Sequence, residues 1–366
     1  MVSVARKNLF EEKTRFIISV SGLAFAVLLI LLITGIMGGV TIAAVAHSER
    51  TEADIWVGEK GTTVIGRTSV VPANLQARIR DVEGVRDVHP IITSMFAVKT
   101  GDEEAGIILV GYDPNSNVGG PWKMAEGTSK LVAGQTIIDR TFASMYGFSV
   151  GDSLEILDKE FTVVGLSDET NVWWVQYVFF TMEDASDLLR LEELVSYFLV
   201  SVSDTSRTET VAERISNALD VTAFTKEEVV SAYRADSEGD MPFIYVMDAI
   251  GFIVGTAVIG LTIVTLTFEK TREYAVLRAI GASNRRLYGI VFGQSLIIAL
   301  FGFVAGILVT GVFAILMESF MPQVMFVLVP ESMVPVFLLT LGMSLVASYL
   351  PIRRTTRVDP AMAFRA

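Results

Sequence analysis

The chain has 366 residues, 51% of them hydrophobic, with a mean hydropathy of +0.52 and a formal net charge of −12. That average is too apolar for a water-soluble enzyme, and the acidic balance lacks the basic face that nucleic-acid binding needs. The absence of cysteine excludes disulfides, thiol catalysis and cysteine-ligated metals.

Residues 1–15 carry charges among Val4, Leu9 and Phe10, and they read as a short amphipathic helix on the inner membrane face. Residues 16–46 form the first of four apolar blocks, each of about the length that crosses roughly 30 Å of hydrocarbon. Its end, Ala44-Val45-Ala46, looks like a signal-peptide cleavage site. The block is about twice as long as the ~7–15 residue core of such a peptide, so it reads as a retained transmembrane helix.

Residues 47–242 mix short strand and helix patterns and read as one α+β domain ending in a polar, partly helical stalk from Lys226 to Asp240. Strands are expected at Ala53–Val57 and Ala105–Tyr112, a helix at Ala73–Val82, and a hairpin over Ser153–Leu166 turning at Asp158-Lys159. Capping boxes are expected at Thr181–Asp184, Ser206–Glu209 and Thr225–Glu228, where a hydroxyl and a carboxylate three apart satisfy free helix N–H groups. In the run from Trp173 to Phe180, alternation predicts that one strand face is buried. Neighbouring Trp173 and Trp174 cannot both point inward, which makes one a candidate contact for lipid or a partner.

The remaining blocks are 243–268, 287–317 and 333–350, joined by links 269–286 and 318–332 and followed by the tail 351–366. Lysine and arginine set the orientation, since positive segments stay on the cytosolic side. Segments 1–15, 269–286 and 351–366 together hold 13 basic against 5 acidic residues (+8), whereas 47–242 holds 16 against 33 (−17) and 318–332 has no basic residue. Both termini and the 269–286 link are therefore expected in the cytosol, with 47–242 and 318–332 outside.

Two enzyme-like motifs do not survive inspection. Gly147-Phe148-Ser149-Val150-Gly151 matches the nucleophile elbow, which needs a strand before the serine and a helix after it. Here the preceding residues look helical, an extended segment follows, and both histidines, His47 and His89, precede the serine. Gly61 to Thr68 nearly matches a phosphate-binding loop, but Arg67 replaces its lysine and the segment is expected outside the cell. Two lone histidines and scattered methionines are a poor ligand set for metal or haem. Neither an enzyme nor a cofactor in this chain is expected.

Glycine pairs four residues apart occur in three blocks: Gly35 and Gly39, Gly251 and Gly255, Gly302 and Gly306. This spacing lets helix backbones approach closely, within one chain or between two. In the 269–286 link, the alternating charges and the helical spacing of Tyr274, Leu277 and Arg278 predict a short amphipathic helix. Gly281 is placed to end it and Ser283 to cap the next.

The run from Glu269 through Lys270, Arg272, Glu273, Tyr274, Leu277, Arg278, Gly281 and Ala282 resembles the signature between the second and third membrane helices of MacB/FtsX-like ABC transporter permeases. The tail, with Pro351-Ile352-Arg353-Arg354, Asp359-Pro360-Ala361 and Phe364-Arg365, is similar to that family's C-terminus. Gln294 stands where the family often has glutamate, and no role is carried over to it. The resemblance implies four transmembrane helices (one plus three) around a large extracytoplasmic α+β domain, in a dimer of permeases, identical or not. It implies two separate cytosolic ATPases, holding the ATP and Mg, that act through the named link residues by mechanotransmission. Export or extraction of a lipophilic or peptide cargo is expected, with an adaptor outside as a further partner. A signalling permease that regulates an external partner without moving cargo is the alternative, and gene neighbourhood would separate the two.

Overall fold

The computed structural model describes residues 12–63, 69–100, 103–172, 175–237, 241–270, 273, 275–276, 279–321 and 323–355. By packing, the chain divides into one unit of residues 1–38, 240–320 and 326–366, and another of 39–239 and 321–325. The amphipathic helix expected over 1–15 falls almost wholly outside the described residues, as do Gly61-loop residues 64–68, the Trp173-Trp174 pair and the tail beyond Thr355.

The helical unit is built from the four helices long and apolar enough to cross a membrane. They are α1 (Lys13–Arg50, 38 residues), α7 (Met241–Glu269), α8 (Asn284–Phe320) and α9 (Pro330–Thr355). None has a marked polar face, and that is why they suit lipid rather than a water-facing bundle. Their inward seam is Leu23, Val27 and Ile30 of α1, Ile259 and Ile263 of α7, Val291 and Ile298 of α8, and Val336 and Met343 of α9. Large side chains such as Leu261, Leu308 and Ile315 stay exposed, as expected of a multi-pass membrane protein whose outer solvent is hydrocarbon. The helices overrun the apolar blocks at both ends. Hydropathy marks only the hydrocarbon-thick stretch, and helical hydrogen bonding continues into the charged flanks.

The α+β unit carries an eleven-stranded mixed sheet. In chain order its elements are β1 (Ile55–Glu59), β2 (Val71–Pro72), α2 (Leu75–Arg80), β3 (Val85–Thr100), β4 (Glu103–Tyr112), β5 (Met124–Gly127), β6 (Gln135–Asp139) and α3 (Arg140–Tyr146). There follow β7 (Ser153–Ile156), β8 (Lys159–Ser167), β9 (Asn171–Val172), β10 (Val175–Thr181), α4 (Met182–Leu189), β11 (Leu194–Val195), β12 (Tyr197–Val202), α5 (Thr208–Ala218), β13 (Val221–Thr225) and α6 (Lys226–Ser237). The strand order is β13-β1-β12-β3-β4-β10-β6-β8-β5, with β7 beside β8 and β9 beside β10, while β2 and β11 pair separately. The 16-residue β3 joins the two halves, pairing with β12 through its first part and with β4 through its second.

Strand alternation divides the core into two layers. Ile55, Val57, Phe198, Val200, Val178 and Phe180 point to the layer that takes Ile79 of α2, Phe142 of α3, Leu188 of α4 and Ile215 of α5. Trp56, Tyr197, Leu199, Tyr177 and Phe179 point to the other. Both faces of β10 are therefore buried from Gln176 to Thr181, where alternation alone predicts one. The second face is filled by Trp122, Leu131 and Val229 from loops and α6, which no local period encodes. Burying each such aromatic or aliphatic side chain contributes about 1.5–3 kcal/mol.

Thr181 caps α4, accepting from the Asp184 N–H at 3.1 Å, and Thr225 and Glu228 form a reciprocal box at 2.8 and 3.2 Å. The third expected box, Ser206–Glu209, does not form. Asp204 accepts the Ser206 N–H and hydroxyl at 3.0 and 2.7 Å, a 3₁₀ turn covers Thr205–Arg207, and α5 starts after Arg207 with no side-chain cap. Asp204 takes the Ser206 N–H that the Glu209 carboxylate would accept in a box, and it also engages the hydroxyl that would accept the Glu209 N–H.

Candidate functional site: helix ends, the α7–α8 link and an aromatic cleft

The link between α7 and α8 starts at Glu269, whose carboxylate pairs with Arg15 near the start of α1. Lys270 pairs with Glu273 at 2.7 Å, an i, i+3 helical contact. Glu273, Ala275, Val276 and Ala279 are helical, and the Ile280 N–H reaches the Val276 carbonyl at 3.1 Å. Ala275 is fully buried, whereas Val276 is 46% and Ile280 75% exposed, so the short helix shows a large apolar edge. Gly281 has φ +92°, a left-handed value that a Cβ would strain, and it ends the helix. Ala282 follows, half-buried, and the Ser283 carbonyl accepts from the Arg286 and Leu287 N–H groups as α8 begins. Arg272, Tyr274, Leu277 and Arg278 lie outside the described residues.

All six paired glycines face other parts of the same chain. A Cβ at Gly251 would meet Ile30 at 2.9 Å and one at Gly255 the Met343 sulfur at 2.6 Å. One at Gly302 would meet Leu23 at 2.5 Å, and one at Gly306 Val27 at 2.6 Å. Gly35 lies against the Phe326 ring, and Gly39 against the Met325 carbonyl oxygen, which a Cβ would approach to 1.8 Å. Gly39 abuts backbone, and side chains of the same copy fill the space over the other five. Gln294 sits on the buried seam of α8, wholly enclosed, and among the described residues neither end of its amide has a hydrogen-bond partner.

The end of α1 belongs to the α+β unit. Lys226 donates to the Thr51 carbonyl at 2.7 Å, a cation at a helix C-terminus. His47 is buried between aromatic rings: Trp122 stacks on it at 5.6 Å, and Trp56 and Tyr177 meet it edge-on at 5.5 and 5.4 Å. Its Nε2 lies 2.9 Å from the Gly119 carbonyl oxygen, which can only accept, so Nε2 carries the proton. Burial pushes the Tyr177 hydroxyl well above the usual tyrosine range and that of Tyr112 up to about 12. A cleft of about 70 Å³ lies here, bordered by Ala44, His47, Ser48, Trp56, Met95, Ile108 and Tyr177. This cluster was invisible to motif reading; Trp122 and Tyr177 are far from His47 in sequence, and only the sheet brings them together.

The discounted motifs have plain geometry. Gly147 (φ +75°) closes α3, the Ser149 N–H donates to Asp152 at 2.7 Å, and β7 follows. His47 and His89 are elsewhere, the latter on β3 opposite Leu199. Among the described residues, no group of three or more His, Asp or Glu is placed to hold a metal ion.

Comparison with known proteins is consistent along the chain. Residues 16–218 match the MacB-like periplasmic core domain and residues 245–360 the FtsX-like permease C-terminal domain. ABC transporter permeases of Mycobacterium bovis and Mycobacterium tuberculosis are each 24% identical over 380 residues, covering 100% of this chain and 99% of theirs. One from Methanocaldococcus jannaschii is 20% identical over 397 residues, covering 100% and 97%. Among solved structures, the periplasmic region of MacB from Actinobacillus actinomycetemcomitans aligns with TM-score 0.38 and 12% identity over 51% of this chain and 95% of that one. The extracellular domain of the Gram-positive transporter YknZ aligns with TM-score 0.36 and 11% identity, over 48% and 100%.

Proposed function

This chain belongs to the MacB/FtsX-like family of ABC transporter permeases, and on that premise we propose that it transmits force from separate cytosolic ATPases to its α+β domain. The observation that supports this reading is the placement of the link: Arg15, near the start of α1, pairs with Glu269 at the end of α7, where the link helix begins. At about 1.5 Å per residue α1 is roughly 57 Å long, far more than the ~30 Å hydrocarbon core. Its other end carries His47 and Arg50 into contacts within the α+β unit. A push on the link would act on the start of α1 and the end of α7 together.

In this reading both termini and the link lie in the cytosol, and residues 47–242 outside. Two permease copies work with two ATPases that hold the ATP and Mg, and the cycle exports or extracts a lipophilic or peptide cargo. The coupling contacts are Glu269, Lys270, Glu273, Gly281 and Ala282 with the exposed Val276 and Ile280, and, from the sequence, Arg272, Tyr274, Leu277 and Arg278. Co-purification with the ATPase from the same gene neighbourhood tests it. The pair should copurify, and the ATPase should hydrolyse ATP faster in the permease's presence. No association, with both proteins folded, would overturn the reading.

A further inference from the structure

We propose that residues 323–329, between α8 and α9, form a releasable strap that holds α1 helical across a weak point at residues 34–39. Gly35, Gly38 and Gly39 fill three of five consecutive positions there. Glycine gives up the most backbone freedom in a helix and brings no side chain to pack. Just before them, the Thr34 hydroxyl donates back to the Ile30 carbonyl at 2.8 Å, a contact that tends to bend helices. At about 1.5 Å per residue, Gly35 lies roughly 30 Å along α1 from Arg15, the thickness of a hydrocarbon core. Backbone bonds that open at that level meet water rather than lipid.

The strap supplies the atoms that the glycines lack. The Phe326 ring covers Gly35, the Met325 carbonyl oxygen covers Gly39, and a Cβ at Gly38 would meet the Val329 Cγ2 at 2.7 Å. The Val327 N–H donates to the Gly35 carbonyl oxygen at 3.1 Å, so main chain is tied to main chain inside the helix. At the strap's other end, the Asn171 side-chain amide donates to the Gln323 carbonyl at 3.3 Å. By packing, α1 changes unit between Gly38 and Gly39 and the strap between Met325 and Phe326, and each of these contacts lies within one unit. Leu328 rests against the edge of the helical seam, whose α1 residues Leu23, Val27, Ile30 and Leu31 all precede Thr34. The strap can therefore lift while that seam stays closed.

Hydrogen exchange of the full chain in lipid nanodiscs, read by mass spectrometry on α1 peptides, tests this. Val327→Pro, which removes the donor, should speed exchange at residues 35–39 at least tenfold. Phe326→Ala, which strips the ring from Gly35, should speed it at least threefold. Exchange across residues 23–31 should stay as in the parent chain. Because native cysteine is absent, Gly38→Cys with Val329→Cys gives one thiol pair within bonding reach. Its oxidised form should exchange at residues 35–39 at least threefold more slowly than its reduced form. Unchanged exchange in both single variants, a rise shared equally by residues 23–31, or equal rates in the oxidised and reduced pair would each overturn the strap. Its part in the ATPase cycle rests on the force-transmission reading and has its own readout. The oxidised pair should still bind the ATPase while stimulation of hydrolysis falls at least fivefold, with recovery on reduction. Full stimulation with the disulfide closed would keep the strap and remove its part in the cycle. Lost association in the parent chain would overturn the force-transmission reading and leave the strap standing.

Discussion

Arg50, in the last turn of α1, donates to one oxygen of Glu169 at 2.6 Å while Lys123 meets the other at 2.6 Å. Lys123 also reaches Asp168 at 2.7 Å, and Arg140 contacts Asp168 at 2.9 Å. Five charges thus link the helix end to the loop before β5, the turn after β8 and the start of α3. Together with His47 in its aromatic seat, they fix where the helix end sits within the α+β unit.

The charge chain is about half-exposed and screened by solvent, so its effect on stability is small. Hydrogen bonds from Lys123 and then Arg50 hold the Glu169 carboxyl below its ordinary value of 4.5. A depressed folded-state pKa contributes stability above the unfolded value and loses it as pH falls through the folded one. Glu169→Gln should therefore lower the melting temperature slightly at pH 7. The difference from the parent chain should shrink below about pH 4.5 and in high salt. Melting curves of both proteins across pH check this, and a difference that grows on acidification would contradict it.

The glycines give a graded series. At Gly39 an added methyl would come within 1.8 Å of the Met325 carbonyl oxygen, a backbone atom that cannot swing aside. At Gly251 it would meet the side chain of Ile30 at 2.9 Å, which can rotate. Gly39→Ala should thus cost about 1–3 kcal/mol or more and Gly251→Ala under about 1 kcal/mol. Thermal stability in detergent should rank Gly39→Ala below Gly302→Ala, and Gly302→Ala below Gly251→Ala.

Orientation is testable directly in the cysteine-free background. Ser203 and Ser283 are both exposed. A cysteine replacing Ser203 should react with an impermeant thiol reagent on intact cells, and one replacing Ser283 should react only after permeabilisation. The reverse pattern would invert the whole assignment of sides.

What was legible in the sequence is what local physics encodes. Four apolar runs are each long enough to cross a membrane as a helix, and Thr225 with Glu228 announces its cap because both partners lie within one turn. The hairpin over Ser153–Leu166 was readable from alternation. Its turn falls on Leu157-Asp158, one residue earlier than expected, with φ of 49° and 64° at two residues that rarely take positive values. The cleft was not legible at all. His47 looks like a stray residue at the end of a membrane helix until β10 brings Tyr177 to it and the loop before β5 delivers Trp122. Such contacts have no period, only a topology. Whether the glycine pairs join one chain or two was equally undecidable from spacing, because small-residue packing has the same signature in both cases.

The last prediction concerns the link helix. Ala275 is fully buried and Val276 and Ile280, one turn apart, are exposed, so the helix has an inner side that seats it and an apolar outer edge. Large exposed apolar groups on a short charged segment between two membrane helices are what a partner's groove would take. Val276→Asp with Ile280→Asp should leave the melting temperature of the isolated permease within about 0.5 kcal/mol equivalent, since exposed substitutions rarely cost more. ATPase association should fall at least tenfold. Ala275→Pro acts differently: a proline inside a helix costs about 3 kcal/mol or more, enough to melt so short an element. That variant should still insert into the membrane, because α7 and α8 hold their own seam, but it should abolish stimulation of ATP hydrolysis. Full stimulation in both variants would show that the link only anchors topology, and force would then have to enter elsewhere.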